Sequence, residues 1–195
     1  MSPIQPSWVP PNVKFELDNC ELPWTFDDNS FDFIHVRLLL GCIEDWPRLY
    51  RECYRCLKPG GWLEQQEYDM AMMPNEGQLP ADSIWHLWFK IFTDAGEKTG
   101  RTFLVTDHWV EWLKQAGFDG VKEKSMRLPA GVWPLDKKQK EIGALNKMAL
   151  EQGLDGFASY LCAKVLGWSQ DEITIMLAKV RAAMNDRKAH NYIVM

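Results

Sequence analysis

The chain has 195 residues, of which 46% are hydrophobic and 25% charged, and its formal net charge is −5. This size and composition predict one globular domain over residues 1–195. The acidic balance argues against nucleic acid as a partner, because a DNA or RNA backbone selects a basic surface. No stretch approaches the ~20 apolar residues of a membrane span, and no signal segment opens the chain. We therefore expect a cytoplasmic or nuclear protein that is neither secreted nor inserted in a membrane.

The first two predicted strands have different hydrophobic patterns. Val13–Leu17 alternates apolar and polar residues, which is typical of a strand with one buried face. Phe31–Leu40 is almost continuously apolar and predicts a strand covered on both faces in a parallel sheet. The segment between them is rich in turn and cap residues.

A helix and a third strand complete a βαβ unit. The helix is predicted from its N-cap, Asp45, to Leu57. Gly60 and Gly61 then supply the backbone dihedrals that turn the chain into a strand over Trp62–Glu67. A right-handed crossover places this strand parallel to the preceding one, with the helix on one face of the sheet.

The five cysteines form neither a disulfide scaffold nor a recognisable metal site, because their number is odd and their density low. Cys53 and Cys56 make a C-x-x-C inside the predicted helix, but no second pair or nearby histidine completes a zinc site. Buried structural cysteines are commoner on a helix, so we predict no metal.

The second half of the chain is mainly helical in pattern. Trp85, Trp88 and Phe92 recur at helical spacing after a possible Asp82 cap, which favours a core role over a substrate pocket. The remaining predicted elements are a helix from Thr106 or Asp107 to Ala116, a strand over Val121–Leu128, helices over Leu135–Asp186 broken at Gly153 and Gly167 with a capping box from Ser169 to Glu172, and a last strand over 190–195.

The predicted architecture is α/β with a mainly parallel sheet, and such sheets bind ligands outside the carboxyl ends of their strands. Polar residues collect there in this sequence. They are Asp18, Asn19 and Cys20 after the first strand, His35, Val36 and Arg37 toward the end of the second, and Glu64–Glu67 at the end of the third.

The segments "SPIQPSWVPPNVKFELDNCELPWTFDDNSFDFIHVRLLLG" and "DWPRLYRECYRCLKPGGWLEQQE" resemble the LaeA-like fungal class I methyltransferases, which use S-adenosylmethionine. The similarity is strong over 1–69 and extends through 70–195 by the order of helices and strands. "LKPGG" is common to class I methyltransferases at large, whereas "SPIQPSWVPPNV" is more specific. The resemblance implies a Rossmann-like fold, S-adenosylmethionine as cofactor and a small-molecule methyl acceptor in fungal secondary metabolism.

The resemblance also implies a cofactor site. The Asp18 carboxylate would accept a hydrogen bond from the adenine amino group, with the backbone of Asn19 and Cys20 at the ring edge. His35, Val36 and Arg37 match the segment beside the methionine part of the cofactor.

These assignments have structural alternatives. Asp18 and Asn19 also suit a simple turn after a strand. His35 is the best candidate for a general base, yet a histidine in an apolar strand is more often a satisfied core residue. Arg37 is as well suited to an ion pair with Glu64 or Glu67 as to a ligand contact.

The chain departs from the family pattern, because no Gly-rich loop between a strand and a helix exists in its 195 residues and the acid that holds the ribose hydroxyls in the family is also missing. In the family this loop lies upstream of "SPIQP", so the resemblance implies an N-terminally truncated fold. The strand over Phe31–Leu38 would then have an exposed apolar edge. We expect Val13–Leu17 to shift and cover that edge, or a protein partner to do so.

Three functions stay open at this point. The first is a methyltransferase acting on a small molecule. The second is a catalytically inactive, methyltransferase-like regulator or scaffold. The third is a truncated gene product whose complete form carries the Gly-rich loop.

Overall fold

The computed structural model describes residue 6 and residues 8–195, and the first residues of the "SPIQPS" phrase lie outside this range. The protein has an α/β fold, as predicted. Its strands and helices are β1 (Phe31–Arg37), α1 (Trp46–Cys56), β2 (Leu57–Gln66), β3 (Met73–Pro74), α2 (Ile84–Thr99), α3 (Trp109–Ala116), β4 (Arg127–Pro129), α4 (Lys137–Tyr160), α5 (Gln170–Met184) and β5 (Asn191–Val194). A 3₁₀ turn precedes α3, and a π-helical turn follows α4.

The predicted βαβ unit is confirmed. β1 and β2 are parallel, with His35 in register with Glu64, and α1 connects them. The Asp45 side chain caps α1 by accepting a hydrogen bond of 2.9 Å from the amide of Arg48. α1 packs its buried residues against Val36 and against side chains of α3.

The strands form two small sheets. The parallel part is the β1–β2 pair, whereas β3, β5 and β4 form an antiparallel sheet in that spatial order. The prediction of a mainly parallel sheet therefore holds for the βαβ unit alone. Helices α2, α4 and α5 pack around a second apolar core that includes Trp85, Trp88 and Phe92, as the sequence predicts.

The predicted strand over Val13–Leu17 is wrong, and the segment does not shift to cover β1. It has no strand conformation, and Phe15 and Leu17 are 57% and 65% exposed. An alternating pattern stabilises a strand only where a neighbouring strand offers backbone partners. Among residues 6 and 8–195, β1 pairs with β2 alone.

The second predicted strand is shorter and more exposed than expected. β1 ends at Arg37, because Leu38 adopts a left-handed conformation with φ +54°. Val36 is 6% exposed on the face packed against α1, while Phe33 on the opposite face is 54% exposed. In the part of the chain that the structure describes, no helix covers this second face, so the expected burial on both faces is wrong.

Several predicted boundaries also move. Ser83 caps α2 in place of Asp82, α4 runs through Gly153, and the pairing predicted over Val121–Leu128 begins only at Arg127. The helix predicted from Thr106 or Asp107 begins at Trp109. The Ser169–Glu172 capping box, the stop at Gly167 and the last strand are confirmed.

β2 begins at Leu57, directly after α1, and not at Trp62 as predicted, and Gly60 and Gly61 lie at an irregularity of its register between Leu57 and Trp62. This irregularity gives a testable prediction. Gly60 has φ +82°, so Gly60→Ala should lower the free energy of unfolding by about 1–2 kcal/mol through left-handed strain. Gly156 is the matched control: it lies inside α4, and an added Cβ meets no atom within 4 Å. Gly156→Ala should raise stability by about 0.5–1 kcal/mol. Urea unfolding compares the two, and equal effects would contradict the role of the dihedral.

Candidate functional site

The candidate site lies where the parallel strands β1 and β2 end. His35 and Arg37 are exposed there, and the loop 38–44 follows β1 directly. Val36 is buried among the residues that pack on α1, so it can offer a ligand only its backbone. Of the three site residues predicted on this strand, which is β1, His35 and Arg37 have exposed side chains and Val36 has a buried, structural one.

His35 forms a close pair with Glu64. Its Nδ1 lies 2.8 Å from Oε2 of Glu64, and the ring stacks on Phe33 with centroids 6.3 Å apart. A carboxylate on one imidazole nitrogen fixes the orientation of the ring and leaves the other nitrogen for proton transfer. The pair therefore has the composition of a general base and its orienting group.

The predicted ion pair of Arg37 is wrong for both glutamates. Glu64 binds His35, and Arg37 is aligned in register with Gln66. No ion pair of Arg37 is found in the described part of the chain, so its exposed guanidinium is available to an anion. The sequence predicts Glu64 as part of a polar strand end and as an alternative ion-pair partner of Arg37, but not as the partner of His35. The parallel register that aligns it with His35 is the signal that identifies the pair.

Asp18 and Asn19 form a turn stabilised by their own side chains. Oδ1 of Asp18 accepts a hydrogen bond of 2.7 Å from the amide of Asn19, and Oδ1 of Asn19 accepts one of 3.0 Å from the amide of Glu21. The local geometry is therefore the turn that was the structural alternative for Asp18 and Asn19. Asp18 is exposed, so its second carboxylate oxygen faces solvent.

Glu21 joins this turn to the loop after β1. Its Oε1 accepts hydrogen bonds of 2.8 Å from the amide of Glu44 and from Nη1 of Arg101. Arg101 also donates to the carbonyl of Cys42. These donors, the Glu44 amide foremost, lower the pKa of Glu21. The two predicted halves of the site, Asp18–Cys20 and the end of β1, are thus connected through the loop 38–44.

Burial disfavours the thiolate form of the cysteines near the site. Burial raises the pKa of Cys20 and of Cys42, and it raises the pKa of Cys53 on α1 to about 12. Thiols in this state are poor nucleophiles and metal ligands. Among the described residues, no group of three or more His, Cys, Asp or Glu side chains is arranged to hold a metal ion.

The sequence predicts Glu67 as part of the polar end of the third strand and as an alternative ion-pair partner of Arg37, and the structure shows it buried without an ion pair to Arg37. It is 1% exposed, and its two oxygens accept hydrogen bonds from the amides of Leu39 at 3.0 Å and Leu40 at 3.3 Å. Burial raises its pKa despite these donors. Nothing in the local sequence distinguishes Glu67 from the exposed Glu64.

An open groove of about 1250 Å³ runs along β2. Side chains from β2, α3 and the segment after α3 form its walls, and many of them are large and apolar. They include Trp62, Trp109, Leu113, Phe118 and Met126. The groove is wide enough for a flat organic molecule.

Comparison with known proteins assigns the family. A family model described as "Methyltransferase domain" matches residues 1–123. The chain belongs to this methyltransferase family. It is 42% identical over 188 residues to the methyltransferase pytC of Aspergillus terreus, and this match covers 95% of the chain and 58% of pytC. The resemblance found in the sequence is confirmed.

Regulators of secondary metabolism are also among the similar proteins. The regulator LAE1 of Cochliobolus heterostrophus is 34% identical over 192 residues, with 97% of this chain and 62% of LAE1 covered. The chain therefore spans about three-fifths of the length of these two relatives. Among solved structures, phosphoethanolamine N-methyltransferase 2 of Haemonchus contortus with S-adenosyl-L-methionine overlaps 91% of this chain and 34% of its own, at 20% identity and a TM-score of 0.42.

No helix in the described residues is both long enough and apolar enough to cross a membrane.

Proposed function

We propose that this protein takes part in S-adenosylmethionine-dependent methyl transfer to a small molecule of fungal secondary metabolism, in the cytoplasm or nucleus. The observation that carries the proposal is the His35–Glu64 pair at 2.8 Å, located at the carboxyl end of a parallel βαβ unit in a methyltransferase-family chain. In open α/β sheets this end is where ligands bind. The similarity to pytC and LAE1 supports the metabolic context.

The residues at this end fit parts of the cofactor. Asp18 has an exposed carboxylate oxygen that can accept a hydrogen bond from an amino group such as that of adenine, beside the backbone of Asn19 and Cys20. The exposed guanidinium of Arg37 suits a carboxylate such as that of methionine. The backbone of Val36 lies between His35 and Arg37 in β1. Bound S-adenosylmethionine would supply an electrophilic methyl group.

His35 has the role of general base in this proposal. Glu64 orients the imidazole through Nδ1, and the ring can then accept a proton from the acceptor's hydroxyl or amine through its other nitrogen. Phe33 and Trp62 flank the pair, because they are aligned with each other two residues before His35 and Glu64, on the same face of the sheet. The groove along β2 offers aromatic walls to a flat apolar acceptor.

Ligand binding tests the cofactor assignment directly. We expect S-adenosylhomocysteine to release or absorb heat on binding and to raise the melting temperature, because a bound ligand stabilises the native state. Asp18→Ala should weaken binding by about 1–3 kcal/mol through loss of a charge-assisted hydrogen bond. Isothermal titration calorimetry measures both.

Asp82 provides the matched control for this measurement. It is an exposed aspartate before α2, so Asp82→Ala should leave the affinity unchanged. No heat and no thermal shift with the wild type at millimolar ligand would refute the enzymatic proposal for this chain. Unchanged affinity in Asp18→Ala alone would leave Asp18 with only its turn role.

A second candidate function, a regulator or scaffold without catalytic activity, is favoured by the uncovered face of β1 and β2. Phe33 and Trp62 are 54% and 63% exposed side by side on that face. β1 also has no second strand partner in the described part of the chain. A protein partner that adds a strand to β1 and covers both aromatic rings would remove this exposed surface.

Measurements of the oligomeric state and of amide exchange in β1 test whether a partner covers this strand. With a partner, or in a self-associated form, the outward amides of β1 should exchange slowly, and light scattering should give a mass above that of one chain. A monomer whose β1 amides are all protected from exchange would contradict the partner.

A further inference from the structure

Glu67 is a buried carboxylate without a cationic partner. It is 1% exposed, and no lysine, arginine or histidine of the described residues forms an ion pair with it. Buried carboxylates are costly unless they are paired with a charge or fully hydrogen-bonded. The side chain meets this requirement through backbone amides, so its position depends on the segment that provides them.

The two amides bind different oxygens of Glu67. Oε1 accepts from Leu39 at 3.0 Å and Oε2 accepts from Leu40 at 3.3 Å, and Nε2 of Gln65 lies 3.4 Å from Oε1. An ionised carboxylate presents strong acceptors on both oxygens, without a donor on either. A protonated carboxyl or a glutamine amide would direct a donor toward one of the two N–H groups.

The bound amides belong to the loop that follows β1. The loop begins with Leu38, a non-glycine residue at φ +54°, a conformation that needs external support. At its far end, the amide of Glu44 binds Glu21 of the Asp18–Glu21 turn. Two carboxylates therefore bind backbone amides of the loop 38–44: Glu67 binds Leu39 and Leu40 near its start, and Glu21 binds Glu44 at its end.

We propose that Glu67 is a positioning residue, which holds the loop 38–44 in the conformation that shapes the cofactor crevice and so sets the affinity for the cofactor. The inference rests on the proposed function, because it assigns the crevice to that ligand. Glu67 acts through the loop and has no contact with the reacting atoms in this proposal.

The protonation of Glu67 gives this role a pH dependence. The groups around the carboxylate are the Leu39 and Leu40 amides, the Gln65 amide, the Tyr50 hydroxyl that donates to Gln65 at 2.6 Å, and the Cys42 thiol. Because burial raises the folded-state pKa above 4.5, global stability falls as pH rises from 4.5 through that pKa. Over the same pH interval Glu67 loses its proton, so that both the Leu39 and the Leu40 amide have a carboxylate oxygen as acceptor.

The experiment compares Glu67→Gln with Glu141→Gln, a control on the exposed surface of α4. For Glu67→Gln we expect amide exchange at Leu39 or Leu40 to accelerate about tenfold or more, with α1 amides unchanged. The affinity for S-adenosylhomocysteine should fall about tenfold, while the control matches the wild type in both measurements. Glu67→Asp keeps both acceptor oxygens and should restore part of the protection.

The outcomes are distinguishable. Unchanged exchange in Glu67→Gln overturns the loop contact, and faster exchange with unchanged affinity overturns the positioning role. If the wild type binds no ligand, the proposed function and this role fail together, and the exchange data still report on the loop. Should Glu67→Gln fail to fold, the pH titration of the wild type's Leu39 and Leu40 amide shifts replaces it. Both shifts should then follow one ionisation above pH 4.5, and flat shifts would contradict the inference.

Discussion

Phe92→Ala is expected to lower the free energy of unfolding by about 3–5 kcal/mol. Phe92 is 2% exposed in the helical core, and its ring contacts Trp88 and Phe103 edge to face, with centroids 4.9 and 5.2 Å away. Truncation removes this packing and leaves a cavity between α2 and its neighbours. Urea denaturation followed by tryptophan fluorescence measures the loss.

Phe157 is the control of the same residue type. It is 53% exposed on α4, so Phe157→Ala should cost far less than Phe92→Ala. The chain has two apolar cores, and we propose that both belong to a single domain. Phe92→Ala should therefore shift one common transition. If only part of the chain became unstable, so that two transitions separated, the single-domain proposal would be wrong.

The parts of the fold that the sequence predicts correctly are those with local signals. Asp45 identifies the start of α1, because an N-cap needs only the next three residues. Gly60, with its φ of +82°, similarly marks a backbone irregularity, which the structure places inside β2 and not before it. The parallel pairing of β1 with β2 follows from the order strand, helix, strand. These features predict the βαβ unit, and they also place the candidate site at its carboxyl end.

The incorrect predictions concern strands that depend on distant partners. Val13–Leu17 and most of Val121–Leu128 have the alternation of strands, but the structure pairs only Arg127 and the two following residues with β5. A period of two shows which faces alternate, and it contains no information on whether a neighbouring strand is present. The apolar Phe31–Leu40 segment likewise does not reveal that one face of β1 is uncovered.

The candidate site shows the same division. His35 could be selected from the sequence by its residue type and its place near a strand end. Its pairing with Glu64 requires the β1–β2 register. The role of Glu67 depends on a loop that folds back over the strand end, with Leu38 in a left-handed conformation that no glycine or asparagine signals. Tertiary contacts of this kind are not encoded in local patterns.

His35→Gln should lower kcat for methyl transfer by about two to four orders of magnitude, because a positioned general base contributes about that much. The variant keeps a polar side chain but cannot accept a proton near neutral pH. The assay measures transfer from labelled S-adenosylmethionine to a small aromatic alcohol that the wild type methylates. Affinity for S-adenosylhomocysteine should stay within about twofold, since a base acts on the acceptor.

Variants of Glu64 and His86 serve as the comparison and the control for this test. Glu64→Gln should lower kcat less than His35→Gln, and the double variant should be no slower than His35→Gln alone, because an orienting group has no effect without the ring it orients. His86→Gln, at an exposed position of α2, should match the wild type. Additive effects of the two substitutions would separate Glu64 from His35. Lost affinity for S-adenosylhomocysteine with kcat intact would instead assign His35 to the cofactor, where the family resemblance also places it.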